Sequence, residues 1–241
     1  MSANRAVLSV AIIAAGGVVL TACGGSKAYV PLTAANFGST ISAAASTLRT
    51  GHEVSTSNGV TTTIDFDNSG VFAYRLTQSS GSAGKRQSMI GIGAVRYVQV
   101  PGVTPAGKWL KVSASSGAAV ITFRDVDPAT MVIRFNKGLK RFSYVGPTEI
   151  AGAQVQHYRI VIDQQKYLRA TGQGLGSANL GSAETLTEDL YLNDDNTVRR
   201  VALALPGGVG NTQVDVTKAG TPLSITAPPA STVVTSIPTR R

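Results

Sequence analysis

The side chains best suited to chemistry in this sequence are one thiol, Cys23, two imidazoles, His52 and His157, and one adjacent pair of carboxylates, Asp194 and Asp195. A thiol can act as a nucleophile or metal ligand, an imidazole as a base, and paired carboxylates as an acid with its base. The histidines lie far apart on segments that alternate like β-strands, and the aspartates lie in a tight polar turn. These placements favour no catalytic pair, so we expect that the protein is not an enzyme.

Three short motifs imitate cofactor or metal sites, but each lacks a residue that the site requires. The segment DFDNSG begins like a calcium loop at Asp65, yet Leu76 stands where a bidentate glutamate is needed. Two Gly-x-Gly segments begin a dinucleotide fingerprint, but Arg96 and Asn179 replace its third glycine. We therefore expect neither a metal nor a cofactor.

Cys23 is the candidate whose surroundings point to one chemistry. Arg5 is the only charged residue before Lys27, and a mostly apolar run extends from Ala6 to Leu20. Such a run is typical of the core of an export signal and is short for a membrane span. The sequence Leu-Thr-Ala-Cys that follows resembles the lipobox of bacterial lipoproteins, in which the thiolate takes a diacylglyceryl group and a peptidase cuts just before the cysteine.

Four other roles for Cys23 compete with lipidation: a core cysteine, half of a disulfide, a metal ligand and a catalytic nucleophile. A disulfide has no second cysteine, and the other three leave the charged start and the apolar run unexplained. The sequence therefore predicts a signal peptide over residues 1–22 and a lipidated tether over 23–35. The predicted location is the outer face of the cell membrane, with Cys23 as the acylated first residue.

The composition is basic, with 22 Lys and Arg against 13 Asp and Glu. A positive balance suits nucleic acid, an anionic membrane surface or an anionic wall polymer. Export makes nucleic acid the least suitable partner, and no basic stretch is interleaved with aromatic residues as a strand-binding groove requires. The remaining length is enough for one domain with a sizeable core or for two small ones. We predict one domain over residues 36–230, with a C-terminal tail over 231–241.

The elements of this domain are read from the spacing of its apolar residues. Helical spacing predicts a helix from Phe37 to Thr50, and alternation from Val60 onward predicts a hairpin and several more strands. A second helix is predicted to begin at Asp127 as N-cap and to close at Gly138 as a left-handed cap. A glycine-rich lid is predicted over residues 170–184. Many antiparallel strands with two or three helices indicate an α+β domain.

Several segments resemble, in order, the mycobacterial LppX/LprG family of envelope lipoproteins, whose fold is similar to that of the LolA and LolB carriers. The segments are LTAC, VDPATMV followed by PTEIAGAQVQHYRIVID, EDLYLNDDNTVRRVALAL, and AGTPLSITAPPAS. The resemblance implies a strongly curved antiparallel sheet, a half-barrel, that packs on a few helices. It also implies an apolar cavity between sheet and helices that holds acyl chains of lipids or glycolipids.

The inward positions of the predicted strands and of the second helix would line that cavity. They are Ile64, Phe66, Phe72, Tyr74, Leu76, Met131, Phe135, Tyr158, Ile160, Ile162, Leu190, Val201 and Leu203. Apolar side chains suit a lipid tunnel as well as a packed core, so alternation alone leaves both open. Lys137, Lys140 and Arg141 cluster near the end of the second helix. They would either complement the helix dipole or contact anionic lipid headgroups.

Two functions follow from these features. The favoured one is a membrane-anchored lipoprotein that carries lipid across the cell envelope, with an envelope transporter as a further partner. The alternative is a non-catalytic envelope lipoprotein with a filled core, which binds a protein or an anionic wall polymer through its basic surface.

Overall fold

The computed structural model describes residues 29–81, 85–113, 127–171, 184–204 and 211–237. Cys23, the predicted signal peptide and residues 172–183 of the predicted lid lie outside these ranges. The chain divides into two units, residues 1–30 and residues 31–241, and every helix and strand described below belongs to the second. No helix in the described ranges is both long enough and apolar enough to span a membrane.

The first helix, α1, runs from Phe37 to Thr47, with Phe37 and Ile41 fully buried. Asn36 precedes it, and the Asn36 side-chain oxygen accepts a hydrogen bond from the Thr33 N–H at 2.7 Å. The prediction of a helix at this place is confirmed, but its end is three residues earlier than expected. Leu48 is already extended, because the chain must enter the first strand at Thr50.

The first half of the sheet is an antiparallel meander of six strands. The predicted hairpin from Val60 is confirmed as β2 and β3. The strands are β1 (Thr50–Ser57), β2 (Val60–Asp67), β3 (Ala73–Ser80), β4 (Lys85–Ile92), β5 (Val95–Gln99) and β6 (Trp109–Ser113).

The second half is another antiparallel meander, and β11 returns to pair with β1. A short strand, β12 (Val233–Val234), lies in the segment predicted as a tail and pairs in parallel with β6. The strand order is β12-β6-β5-β4-β3-β2-β1-β11-β10-β9-β8-β7. The remaining strands are β7 (Leu139–Ile150), β8 (Ala153–Asp163), β9 (Thr185–Leu192), β10 (Val198–Ala204) and β11 (Asn211–Thr217). This curved sheet confirms the predicted α+β half-barrel.

Two further helices precede and follow β7 and β8. The first, α2 (Pro128–Phe135), begins as predicted, with the Asp127 carboxylate accepting the Ala129 N–H at 3.0 Å. Its predicted end is wrong, because residues 136–138 form a 3-10 turn and Leu139 already belongs to β7. Gly138 is not left-handed. It is needed because a Cβ there would lie 2.8 Å from the Asp163 carbonyl oxygen and 2.8 Å from the Tyr167 Cβ.

The third helix, α3 (Gln164–Thr171), follows β8 without a loop and contacts it. Helices α1 and α2 contact each other, and α2 also contacts β10, so the three helices in the described ranges cover the half of the sheet that contains β7 to β11. Inward residues of this half are fully or almost fully buried. They are Tyr158, Ile160, Ile162, Leu186, Leu190, Leu192 and Val201. This half of the fold is a packed core.

Candidate functional site

The inward face of strands β2 to β6 carries a row of five apolar residues that cross-strand pairing aligns. Residues directly opposite each other on neighbouring strands project from the same face of the sheet. Unlike the core below the helices, all five side chains are only partly buried. We call this the apolar row; it consists of Ile64, Leu76, Met89, Val98 and Leu110.

A second row beside it is formed by two aromatic rings that lie over glycines of neighbouring strands. A Cβ on Gly51 would lie 2.6 Å from the Phe66 ring, and a Cβ on Gly91 would lie 2.1 Å from the Tyr74 ring. Phe66 and Tyr74 are almost completely buried, and Leu48, after α1, packs against them. We call Gly51, Phe66, Tyr74 and Gly91 the aromatic row. The glycines leave room for the two rings to lie flat against the sheet, directly beside the apolar row.

A polar row lies on the other side of the apolar row, toward the β1–β2 and β3–β4 turns. Gln78 donates to the Thr62 hydroxyl at 3.4 Å and accepts from the Gln87 amide at 3.3 Å. The inward face of this half is therefore amphipathic: an apolar stripe across the strands is bordered by side chains that water or a polar group can solvate. This arrangement suits an elongated apolar ligand that lies across the strands.

The predicted cavity residues divide between the two halves of the sheet. Ile64, Leu76 and Phe72 are partly exposed in the β2–β6 half, and Leu203 is partly exposed on β10. The side chains of Met131 and Phe135 lie outside the described part of the chain. The others are buried: Phe66, Tyr74, Tyr158, Ile160, Ile162, Leu190 and Val201. Sequence reasoning missed three members of the apolar row, Met89, Val98 and Leu110, although each lies on a predicted strand.

Tyr158 shows how completely the other half is filled. Its ring stacks on Phe142 at a centroid distance of 5.1 Å, and Phe142 stacks on Phe37 of α1 at 4.4 Å. Tyr144 lies against the same ring at 5.2 Å, and the Tyr158 hydroxyl accepts a hydrogen bond from the Leu32 N–H at 2.9 Å. Through Tyr158, these contacts link Leu32 and Phe37, at the beginning of the domain, to β8.

Two glutamates face the interior and are buried. Glu53 lies opposite Ile64, and Glu188 lies between Ile160 and Leu203 of the neighbouring strands. Both carboxylate oxygens of Glu188 lack a hydrogen-bond partner in the described part of the chain, and the residue has no exposed surface. Burial, reinforced by the charge of Asp189, raises the pKa of Glu188 well above its usual value of 4.5.

Replacing Glu188 with leucine is expected to stabilise the protein at pH 8 by about 1–3 kcal/mol, because it removes a buried polar group without a partner. The folded-state pKa lies above the unfolded value, so the part of this penalty that comes from ionisation is absent below about pH 4.5, grows as the pH rises above that value and is complete once the pH exceeds the folded-state pKa. Urea unfolding at pH 5 and pH 8 measures both effects. Glu149→Leu, at an exposed position on β7, is the control. A variant less stable than the unchanged protein at pH 8 would contradict the expectation.

The three cations predicted to meet headgroups are exposed but do not share one element. Lys137 lies in the 3-10 turn, and its Nζ donates to the Ala170 carbonyl at 3.4 Å. Lys140 and Arg141 belong to β7, so they lie beyond the last turn of α2. A fourth cation, Arg134, does lie in the last turn of α2 and can complement the dipole of that helix.

The outward face of the sheet carries ion pairs between neighbouring strands. His52 contacts Asp65 at 2.6 Å, whereas Asp189 binds both His157 at 2.7 Å and Arg159 at 3.0 Å. Burial raises the pKa of Asp189, but hydrogen bonds from His157 and Arg159 outweigh it and lower the pKa overall. Both histidines are thus surface strand residues with a carboxylate partner, and no cluster in the described ranges is placed to hold a metal.

A pocket of about 900 Å³ lies away from the rows just described. Arg86 and Gln99 line it together with Ile237 and the loop over residues 101–107. Arg86 and Gln99 alternate with the inward residues Gln87 and Val98, so they lie on the outward face. None of the predicted cavity residues lines this pocket. The apolar row offers an elongated apolar ligand a continuous apolar surface, whereas the pocket is walled mainly by a Pro- and Gly-rich loop.

No protein-family model and no curated protein matches the sequence. Similarity appears among solved structures. LprF from Mycobacterium bovis aligns with a TM-score of 0.56 at 15% identity, over 81% of this chain and 96% of LprF. The Mycobacterium tuberculosis lipoprotein LppX aligns with a TM-score of 0.54 at 13% identity, over 80% of this chain and 98% of LppX.

At these identities the likeness concerns the fold. It extends over nearly the whole length of both relatives, so the curved sheet and its helices are shared as one domain. The resemblance to the LppX/LprG family that the sequence predicts is thus confirmed at the level of the fold, and this chain has the half-barrel fold of LprF and of the lipoprotein LppX.

Proposed function

We propose that this protein is a lipid-anchored envelope lipoprotein that binds acyl chains of a lipid or glycolipid on the inward face of β2 to β6 and carries them across the envelope. Cys23 would anchor it to the outer face of the cell membrane. The protein would act by binding rather than by catalysis. Its fold, shared with LprF and LppX, supports the proposal.

The observation that carries the proposal is the partly exposed apolar row. Five strands at a spacing of about 4.8 Å give the row a length of about 19 Å. One leaflet of a bilayer is about 15 Å deep in hydrocarbon, half of the usual thickness of about 30 Å. The row is therefore long enough to cover the acyl chain of a membrane lipid.

A carrier is needed because of the cost of exposing acyl chains to water. Moving an acyl chain of about sixteen carbons from the membrane into water costs on the order of 10 kcal/mol of free energy, at about 0.8 kcal/mol for each CH₂. The apolar row would recover part of this energy, and the polar row would keep the edge of the site solvated. Lipid could then leave one membrane without crossing water unprotected.

The direct experiment is to purify the protein from the membranes of cells that express it, extract it with organic solvent and identify bound lipid by mass spectrometry. Under the proposal, lipid copurifies in a fixed molar ratio, in addition to any acyl chains bound covalently at Cys23. Protein that carries no extractable lipid and takes up none from vesicles would favour the alternative, in which a filled core supports binding of a protein or wall polymer.

The substitution Leu76→Trp is expected to weaken acyl-chain binding about tenfold. The larger ring occupies the middle of the apolar row, and excluding about two CH₂ groups from contact costs about 1.6 kcal/mol. Stability should change little, because a partly exposed position has room for the added volume. Uptake of a fluorescent fatty acid and thermal unfolding measure the two effects.

Thr77→Trp is the matched control, since Thr77 adjoins Leu76 on β3 and faces the other side of the sheet. It should bind the fatty acid as the unchanged protein does. A strong loss of stability in Leu76→Trp with normal uptake would mean that the row is filled from within the domain.

A further inference from the structure

The aromatic row ends beside a buried cation. Arg96 on β5 is only 6% exposed, and its Nη2 atom has no hydrogen-bond partner in the described part of the chain. The ion pairs formed by the described residues do not include it either. A guanidinium remains charged at any pH at which proteins fold, and burying it without an anion is costly. Within the described ranges, the Arg96 guanidinium therefore has no negatively charged partner.

The neighbours of Arg96 supply a second hydrogen-bond donor. Arg96 pairs with Gly91, and the Tyr74 ring covers that glycine, with the hydroxyl oxygen 2.8 Å from where a Cβ would lie. The positive charge of Arg96 acts to lower the pKa of Tyr74, against the larger effect of burial, which raises it. The Tyr74 hydroxyl donates to the Met89 sulfur at 3.1 Å, a weak acceptor that a charged oxygen would outcompete.

The cation also adjoins the surface proposed for acyl chains. Val98 of the apolar row follows Arg96 by two residues, on the same face of β5 and about 7 Å away. Met89, whose sulfur accepts the Tyr74 hydroxyl, belongs to the same row. One ligand could therefore place an anionic end between Arg96 and Tyr74 and its hydrocarbon along the apolar row.

We propose that the site binds a free fatty acid, with its carboxylate on Arg96 and Tyr74 and its chain on the apolar row. This inference rests on the proposed function and specifies its ligand. A carboxylate matches the forked donors of a guanidinium and is small enough for a position that is nine-tenths buried. A phosphodiester or sugar headgroup would need more room and further donors.

The test compares two probes with the same chain, palmitate and hexadecanol, on the purified full-length protein in detergent. Arg96→Met is expected to weaken palmitate binding about 10- to 100-fold, the usual range for a charged hydrogen bond, and to leave hexadecanol binding within about threefold. Tyr74→Phe should weaken palmitate less, by about 3- to 10-fold. Arg75→Met is the matched control, because Arg75 is exposed on the opposite face of β3.

Two further measurements separate binding from folding. Carbon-13 NMR of carboxyl-labelled palmitate should show a carboxylate that stays ionised to lower pH on the unchanged protein and on Arg96→Lys than on Arg96→Met, because a nearby cation favours the charged form. Without ligand, Arg96→Met should unfold at the same temperature as the unchanged protein or higher, since it removes an unpaired buried charge. A clear fall in that temperature would overturn the claim that Arg96 lacks a partner.

The other outcomes identify which idea fails. Equal binding of palmitate and hexadecanol, or equal loss of both in Arg96→Met, overturns the carboxylate site and leaves the lipid-binding function standing. Preference for phosphatidylglycerol vesicles over palmitate, or tight binding of inorganic phosphate alone, also overturns the fatty-acid assignment. A protein that binds neither chain refutes the proposed function itself.

Discussion

Replacing Cys23 with serine is expected to abolish acylation of the protein and to shift it from the membrane fraction or leave it there as an uncleaved precursor. Serine keeps the shape of the side chain but lacks the thiolate that forms the thioether. Stable anchoring takes two acyl chains, because one chain gives only marginal and reversible binding. The measurements are incorporation of labelled palmitate and fractionation of cell envelopes.

Ser26→Ala is the control for that experiment, since it changes a small residue three positions later and leaves the Leu-Thr-Ala-Cys segment intact. It should be labelled and located like the unchanged protein. Labelling that persists in Cys23→Ser would exclude Cys23 as the acylated residue and, with it, the predicted boundary between residues 22 and 23.

Replacing Gly91 with valine is expected to destabilise the domain by about 3–5 kcal/mol. The new Cβ would lie 2.1 Å from Cε1 and 2.5 Å from Cζ of Tyr74, so the buried ring must leave its position. Loss of a buried aromatic contact costs about that much. Since Tyr74 is one of the two donors proposed for the carboxylate, fatty-acid binding should fall as well. Urea unfolding and palmitate binding measure the two effects.

Gly70→Val is the control, because a Cβ there meets nothing within 4 Å and the backbone has no left-handed conformation. The cause is tested by the double variant Gly91→Val/Tyr74→Leu, compared with Gly91→Val and Tyr74→Leu alone. Removing the ring should relieve the clash, so the double variant should lose less stability than the sum of the two single changes. Strict additivity would show that Gly91 is required for a reason other than the Tyr74 ring.

The parts of the fold that the sequence predicted are those whose apolar residues keep a regular period. The alternation from Val60 through Leu76 predicted β2 and β3, and the cap at Asp127 predicted the beginning of α2. In these segments the local pattern and the tertiary structure require the same residues on the same face.

The strands β1 and β7 and the helix α3 were not predicted, because their apolar residues do not keep a regular period. Strand β1 presents Glu53 and Ser55 to the interior, so it does not alternate between apolar and polar residues; its neighbours β2 and β11 provide the pairing that makes it a strand. In β7 the register shifts after Leu139 and again after Tyr144, and each shift moves the apolar phase by one residue. Helix α3 is mostly polar, with Leu168 as its fully buried residue.

The candidate site was only partly predictable. Alternation identified Ile64, Leu76, Phe66 and Tyr74 as inward residues, but it could not distinguish a partly open face from a packed core, because both need the same side chains. The distinction comes from where the described helices lie, over β7 to β11. Arg96 had one signal, its position in phase with Val98 on a strand, which places a charge on the inward face.

The pairing of β1 with β11 determines the order in which the sheet can form. Each meander is built from hairpins whose strands are close along the chain, whereas the β1–β11 pairing joins residues as distant as His52 and Thr217, which are 165 positions apart. Closing so long a loop costs more chain entropy than closing a hairpin, and such contacts slow folding. Under the proposed function the chain is exported, and its first meander emerges before its second. The two halves can become one sheet only after residue 217 has crossed the membrane.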